Sequence, residues 1–183
     1  HQLFWIQIRR IIMDKIIWYN DRGELNKLCE FIEQRSLMIE IGSLVGASTE
    51  IFSKYFKNVV SIDPYIGGYD ENDINSQQFR LDEAKVIFAE KFKHNQSVTQ
   101  LNITSEQASH NYQDDQSIDL VYIDAVHKYK TVLHDINIWK NKTKYIAGHD
   151  WNWPEVKSAV LDSFSEEEIV IFQPNHWIVK KAV

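Results

Sequence analysis

Apolar residues along this chain come in two rhythms. Short, mostly apolar runs at Leu37–Ile41, Val59–Ile62, Val98–Leu101, Ile118–Ile123 and Lys144–Ala147 have the length and β-branched content of buried strands. Between them the spacing changes to that of helices. Ile51, Phe52, Tyr55 and Phe56 share one helical face, as do Phe79, Ala84, Ile87, Phe88 and Phe92 in a helix predicted from about Gln77 to Lys93. Val132, Leu133, Ile136 and Trp139 mark another, and Pro154 opens one carrying Val156, Ala159, Val160 and Phe164. Ile169–Phe172 and Trp177–Val179, joined by Gln173-Pro174-Asn175, read as an antiparallel hairpin. Strand and helix therefore alternate five times before the hairpin, which predicts an α/β fold: a doubly wound, mostly parallel seven-stranded sheet with helices on both faces. Upstream, Glu24–Gln34 reads as an amphipathic helix after the Asn20–Gly23 turn, and Leu3–Trp18 as an earlier one.

Composition narrows this picture. A chain of 183 residues suits a single domain, here N-terminal helices over 1–36 and a core over 37–183. With 26 acidic residues against 20 basic ones and no dense Lys/Arg cluster, no nucleic-acid partner is expected. Leu3–Trp18 is rich in Ile and Trp but carries Arg9, Arg10, Asp14 and Lys15, so it predicts a packed or interface helix, with homo-oligomers formed through it, rather than a membrane span or a signal segment. No membrane partner is expected. The one cysteine, Cys29, falls on the apolar stripe of Leu25, Leu28 and Ile32, which predicts a core thiol and a reducing, cytoplasmic setting.

The candidate chemistry gathers at strand ends, where open α/β sheets bind ligands. Leu37–Ile41 breaks at Gly42 into a turn with a second glycine at Gly46, and a helix follows at once, the arrangement of a nucleotide cradle. Asp63 ends the next strand roughly 20 residues on, the spacing at which such folds offer a carboxylate to ribose hydroxyls. The following strands end in Asn102–Ser105, where Thr104 or Ser105 can cap a helix, in Asp124 with His127, and in His149-Asp150. Asp124 and Asp150 suit a shared divalent cation, whereas His127 or His149 suits a general base toward a hydroxyl. Both roles stand open on the residues alone. His94, His110, His134 and His176 are read as surface or helix-end residues. The loop Pro64–Asp73, with its glycine pair and tyrosines, divides evenly between a flap over the site and an ordinary surface loop. A nicotinamide-dependent oxidoreductase is disfavoured because Leu44 stands where its fingerprint needs a middle glycine, and no P-loop lysine is present.

Taken together, Glu40-Ile41-Gly42-Ser43 with Gly46 and Ser48-Thr49, Ser61-Ile62-Asp63, Ile118–Asp124 with His127, and Gly148-His149-Asp150-Trp151 resemble the class I S-adenosylmethionine-dependent methyltransferases. More narrowly, they resemble a small bacterial group related to macrolide-sugar O-methyltransferases and cephalosporin-hydroxylase-like proteins. The resemblance runs from about Leu37 to the C-terminus. It implies a Rossmann-like fold and S-adenosyl-L-methionine as cofactor, with Glu40, Gly42, Ser43, Gly46 and Ser48 around its methionine part. Asp63 would meet the ribose, Thr104 or Ser105 the adenine, and Asp124 and His127 the sulfonium methyl. Catalysis falls to Asp124, His127, His149 and Asp150, with Mg²⁺ or another divalent cation on Asp124 and Asp150 in the metal-using version. Two departures stand out: His149 replaces the first of two tandem acids, and Ala125 stands where glycine is common. Tyr65, Tyr69, Trp151 and Trp153 are candidates for the wall of a small-molecule acceptor pocket, the acceptor being a sugar or other hydroxyl compound. A non-catalytic nucleotide-binding or assembly protein on the same fold is the competing reading.

Overall fold

A computed structural model describes residues 22–71, 73–115 and 117–180. The predicted Leu3–Trp18 helix and its interface lie outside them. The elements run α1 (Arg22–Phe31), β1 (Leu37–Ile41), α2 (Ala47–Tyr55), β2 (Asn58–Ile62), α3 (Gln78–Phe92), β3 (Val98–Leu101), α4 (Ser105–Ser109), β4 (Ile118–Ile123), α5 (Tyr129–Trp139), β5 (Thr143–Gly148), α6 (Pro154–Leu161), β6 (Ile169–Phe172) and β7 (His176–Lys180). The sheet order is β3-β2-β1-β4-β5-β7-β6, with β1 to β5 parallel and the β6–β7 hairpin antiparallel. The doubly wound α/β expectation therefore holds, Rossmann-like in form, with all seven strands in one sheet.

Strand alternation decides what each face buries. Met38, Leu120, Tyr122, Tyr145, Ala147 and Ile178 pack under α1 and α2 with Leu25, Leu28, Phe52 and Phe56. Ile39, Ile41, Val121, Ile123, Ile146 and Val179 pack on the opposite face with Ile136, Trp139, Val156 and Val160 of α5 and α6. Every residue of β4 is buried, as a central strand covered on both faces must be. Cys29 sits in the first of these clusters, fully buried, and burial pushes its thiol up to about 12, so it is an inert core residue.

Helix α1 ends at Phe31 rather than at Gln34. The Arg35 guanidinium donates to the carbonyls of Glu30 and Ile32 at 3.0 and 2.9 Å, closing the helix early and turning the chain into β1. The start of β1 is then held to β4, because the Asp119 carboxylate accepts from Ser36 N–H and Leu37 N–H at 2.7 and 3.0 Å. These contacts tie the lower ends of the central strands together, leaving the C-terminal ends to form the site.

Candidate active site

The first turn is built around a carbonyl, a carboxylate and a packed ring. Gly42 has φ of 85°, and a Cβ there would stand 2.1 Å from the Asp124 carbonyl oxygen. The glycine is thus required by the close approach of two strand ends, β1 and β4. Gly46, with φ of 73°, lies against Phe88 and Phe92 of α3, where a Cβ would meet a ring carbon at 2.4 Å. Both glycines answer to protein packing. Between them, Leu44 keeps the left-handed conformation at φ of 45°, so the turn retains its shape without a middle glycine.

Asp63 holds this turn closed. One of its carboxylate oxygens accepts from Ser43 N–H at 3.1 Å and Leu44 N–H at 3.0 Å, and the other from Tyr65 N–H at 2.9 Å. Burial raises its pKa, partly offset by those three backbone donors. Glu40 shares the face of Met38, so its side chain runs beneath the turn toward the start of α2. It is fully buried and accepts from the hydroxyls of Ser48, Thr49 and Ser61, the last at 2.6 Å. Burial pushes Glu40 up to about 7 against the pull of those hydroxyls.

Above the turn opens a cavity of about 470 Å³. Gly42, Leu44, Asp63, Tyr69, Asp73, Thr104, Ser105, Asp124 and His127 are among its walls, which therefore collect the ends of β1, β2, β3 and β4. Thr104 caps α4 through a capping box with Gln107, as its position suggests, and still faces the cavity. The loop after Asp63 is folded onto the protein: Gly68 N–H donates to Ser76 O at 2.8 Å, and Lys128 meets the buried carboxylate of Asp70 at 3.0 Å. It forms a wall pinned at both ends. Tyr69 lines that wall, whereas Tyr65 is 3% exposed and points inward, its hydroxyl donating to Leu44 O at 2.9 Å.

At the far end of the cavity stand the polar residues of β4 and β5. His127 Nε2 and Asp150 Oδ2 are 2.6 Å apart, and His149 Nδ1 lies 3.2 Å from the same carboxylate oxygen and 3.7 Å from Asp124 Oδ1. Burial would lift the Asp150 carboxyl, but the two histidines beside it hold it well below the usual carboxylate range. For His127 burial disfavours the charge, and the Asp150 bond and nearby carboxylates outweigh it, so the net shift is upward. Asp150 itself is left-handed at φ of 57°, which aims its carboxylate back toward β4. Trp153 stacks on His127 at 4.6 Å, covering its outer face.

The placement of the expected residues divides cleanly. Gly42, Asp63, Thr104, Ser105, Asp124 and His127 line the cavity. His149 and Asp150 stand immediately behind it, sharing a small recess with Asp124 and His127. Glu40, Ser43, Gly46 and Ser48 are buried in the support beneath the turn and are not among the lining residues. The two histidines therefore differ: His127 reaches the cavity, and His149 braces Asp150 from behind. One atom each from Asp124, His127 and Asp150 lies within 4.8 Å of the other two, so His127 adds a third donor to the pair of carboxylates expected from sequence. The signal for it was present in its position three residues after Asp124. His176, expected at the surface, is fully buried, with Nδ1 2.8 Å from the Tyr122 hydroxyl and its ring 4.9 Å from that of His149. No apolar pattern distinguishes such a histidine from an exposed one on the neighbouring edge strand.

Residues 39–151 match a family described as a methyltransferase domain. Over 148 residues the chain is 28% identical to an uncharacterised protein of Acanthamoeba polyphaga mimivirus, an alignment covering 74% of this chain and 63% of that protein. The chain thus spans under two thirds of that relative's length. Among solved structures, an S-adenosylmethionine-dependent O-methyltransferase from Thermotoga maritima aligns with a TM-score of 0.63 at 12% identity, over 94% of this chain and 70% of that one. A candidate methyltransferase from Streptococcus mutans, in complex with S-adenosylhomocysteine, aligns with a TM-score of 0.62 at 13% identity, over 91% of this chain and all of the other. At such identities the likeness is one of fold.

Proposed function

The chain belongs to the methyltransferase-domain family, and on that premise we propose that it moves a methyl group from S-adenosylmethionine to a hydroxyl oxygen of a small molecule, of which a sugar is one class. The observation that carries this reading is the single cavity running from Asp63 and Thr104 to Asp124 and His127. In this reading the part walled by Asp63 and Thr104 takes the nucleoside, and the part walled by Asp124 and His127 takes the acceptor. Within the family, the motifs Glu40–Thr49 and Gly148–Trp151 support a place in the small bacterial group that resembles the macrolide-sugar O-methyltransferases.

The chemistry asks for alignment and one proton transfer. The acceptor oxygen attacks the sulfonium methyl carbon, the carbon–sulfur bond breaks with its electron pair on sulfur, and S-adenosylhomocysteine results. His127 takes the hydroxyl proton. Asp150, 2.6 Å from His127 Nε2, fixes the ring and stabilises the imidazolium, leaving the other ring nitrogen as the base. Asp124, Asp150 and His127 also suit a hard divalent cation, which when bound supplies Lewis-acid polarisation of the acceptor hydroxyl.

Calorimetry with S-adenosylhomocysteine, followed by transfer of a labelled methyl group to a panel of hydroxyl acceptors, tests the reading. Binding in the micromolar range and label in an ether product are expected; absence of binding would sink it. His127→Ala is expected to lower kcat by roughly 10²- to 10⁴-fold while leaving cofactor affinity unchanged. Should chelation abolish transfer in the wild type and added Mg²⁺ restore it, the cation takes part; indifference to chelation leaves proton transfer to His127 alone.

A further inference from the structure

Of the cavity carboxylates that have no part in the chemistry above, Asp73, Glu106 and Asp135, the last is the buried one. Asp135, in the middle of α5, is 4% exposed and yet lines the cavity, as do Ser105, Thr131 and His134. Its surroundings are otherwise apolar: Val132, Ile136 and Ala108 belong to the adjoining core. Trp139 Nε1–H donates to Ser105 Oγ at 2.9 Å, which leaves the Ser105 hydroxyl proton available to the neighbouring Asp135, whose pKa that hydroxyl pulls down. A buried carboxylate with one hydroxyl donor is short of partners, and burial accordingly pushes Asp135 up to about 6. What the site asks of a ligand is an N–H donor at that depth.

We propose that Asp135 is the residue that reads the nucleobase: its carboxylate accepts a hydrogen bond from the exocyclic amine of adenine, with Ser105 holding the carboxylate in place. This rests on the methyl-donor reading and deepens it, for it gives the cavity a reason to prefer adenine over a base with a carbonyl at the same position. A ligand amine there satisfies the carboxylate, whereas a carbonyl oxygen sets two acceptors against each other. Thr104 and Ser105 alone would not discriminate in this way, since a hydroxyl can donate or accept. The selectivity therefore belongs to α5 and not to the strand ends.

The test compares S-adenosylhomocysteine with S-inosylhomocysteine, in which the amine is replaced by oxygen, by calorimetry on the full chain. Wild type is expected to bind the adenine compound roughly ten- to a hundredfold more tightly. Asp135→Asn, nearly identical in shape, offers an N–H to that oxygen and is expected to narrow or reverse the preference. Equal affinity of wild type for the two compounds, with adenine compound bound, would overturn the role of Asp135 while leaving the methyl-donor reading intact. Failure of wild type to bind either compound removes the methyl-donor reading itself. The wild-type comparison needs no variant to fold, and an unliganded melting midpoint within a few degrees of wild type qualifies the Asn variant for the second arm. A qualified variant that keeps the full wild-type preference also overturns the proposal.

Discussion

At the scale of single residues, the polar groups divide into those that face the cavity and those that hold the ones that do. Glu40 is of the second kind. Its carboxylate gathers the hydroxyls of Ser48, Thr49 and Ser61, joining β1, β2 and α2 under the turn. Its pKa in the folded protein, about 7, lies above the ordinary 4.5, so between these values the native state keeps a proton that the unfolded chain has released. Its contribution is fully present below pH 4.5 and is lost as the pH rises through about 7, a change of roughly 3 kcal/mol at most. Urea unfolding of wild type and Glu40→Gln across pH 4 to 8 checks this: the variant is expected to lack that part of the decline. Parallel pH profiles would show that Glu40 does not titrate there. Asp150 is of the second kind too, and its left-handed backbone has a purpose only when the carboxylate reaches His127. Asp150→Asn is expected to lower kcat by about 10²-fold or more, through loss of the group that orients and charges His127, with little change in the melting midpoint.

At the scale of elements, the site depends on how closely strand ends approach. Gly42 illustrates it: the β1 turn passes the β4 end so tightly that any side chain meets the Asp124 carbonyl. Gly42→Ala is therefore expected to cost about 1–3 kcal/mol of stability and to weaken S-adenosylhomocysteine binding as well, because the cavity floor must shift. Chemical denaturation and calorimetry on the same variant would show both effects, and a stable variant with normal affinity would contradict the packing argument. The wall formed by the loop after Asp63 makes a second case. Lys128, one residue beyond the cavity residue His127, reaches Asp70 three residues before the cavity residue Asp73, so one ion pair ties that loop to the segment after β4. Lys128 is partly exposed, and by itself the pair adds little to stability. Lys128→Ala is expected to speed ligand release by a few-fold in stopped-flow measurements, more so at low salt than at high.

At the scale of the whole molecule, the sheet order places the crossover between β1 and β4, and the cavity opens there, outside the strands' C-terminal ends. No helix among the described residues is long and apolar enough to cross a membrane. Binding of a cofactor by the folded state alone stabilises it by mass action, about 2.7 kcal/mol at a ligand concentration 100 times Kd. S-Adenosylhomocysteine is expected to raise the melting midpoint by several degrees in a scanning measurement, and a midpoint independent of ligand would count against the cavity as its site. NAD at equal concentration is expected to leave the midpoint unmoved.

Much of this architecture was legible along the chain, for a physical reason. A parallel sheet buried on both faces writes itself as uninterrupted apolar runs, and its covering helices as apolar residues at helical spacing, so Leu37–Ile41 and Ile118–Ile123 could be bounded to the residue. The carboxylates and histidines at strand ends could likewise be assembled, because topology sends every such end to one rim. Pattern alone could not say which way a side chain turns once there. Glu40 follows strand alternation inward, Tyr65 folds under its own loop, and His149 stands behind Asp150 while His127 stands before it. Asp135 sits on a helix face among core residues, and a carboxylate there reads as an ordinary interruption of an apolar stripe until α4 brings Ser105 beside it. Fold and rim are local in their causes, set by period and strand end. The roles of individual carboxylates are not, because each is settled by a partner some 20 to 30 residues away, as Asp63 is by Ser43, Asp150 by His127 and Asp135 by Ser105.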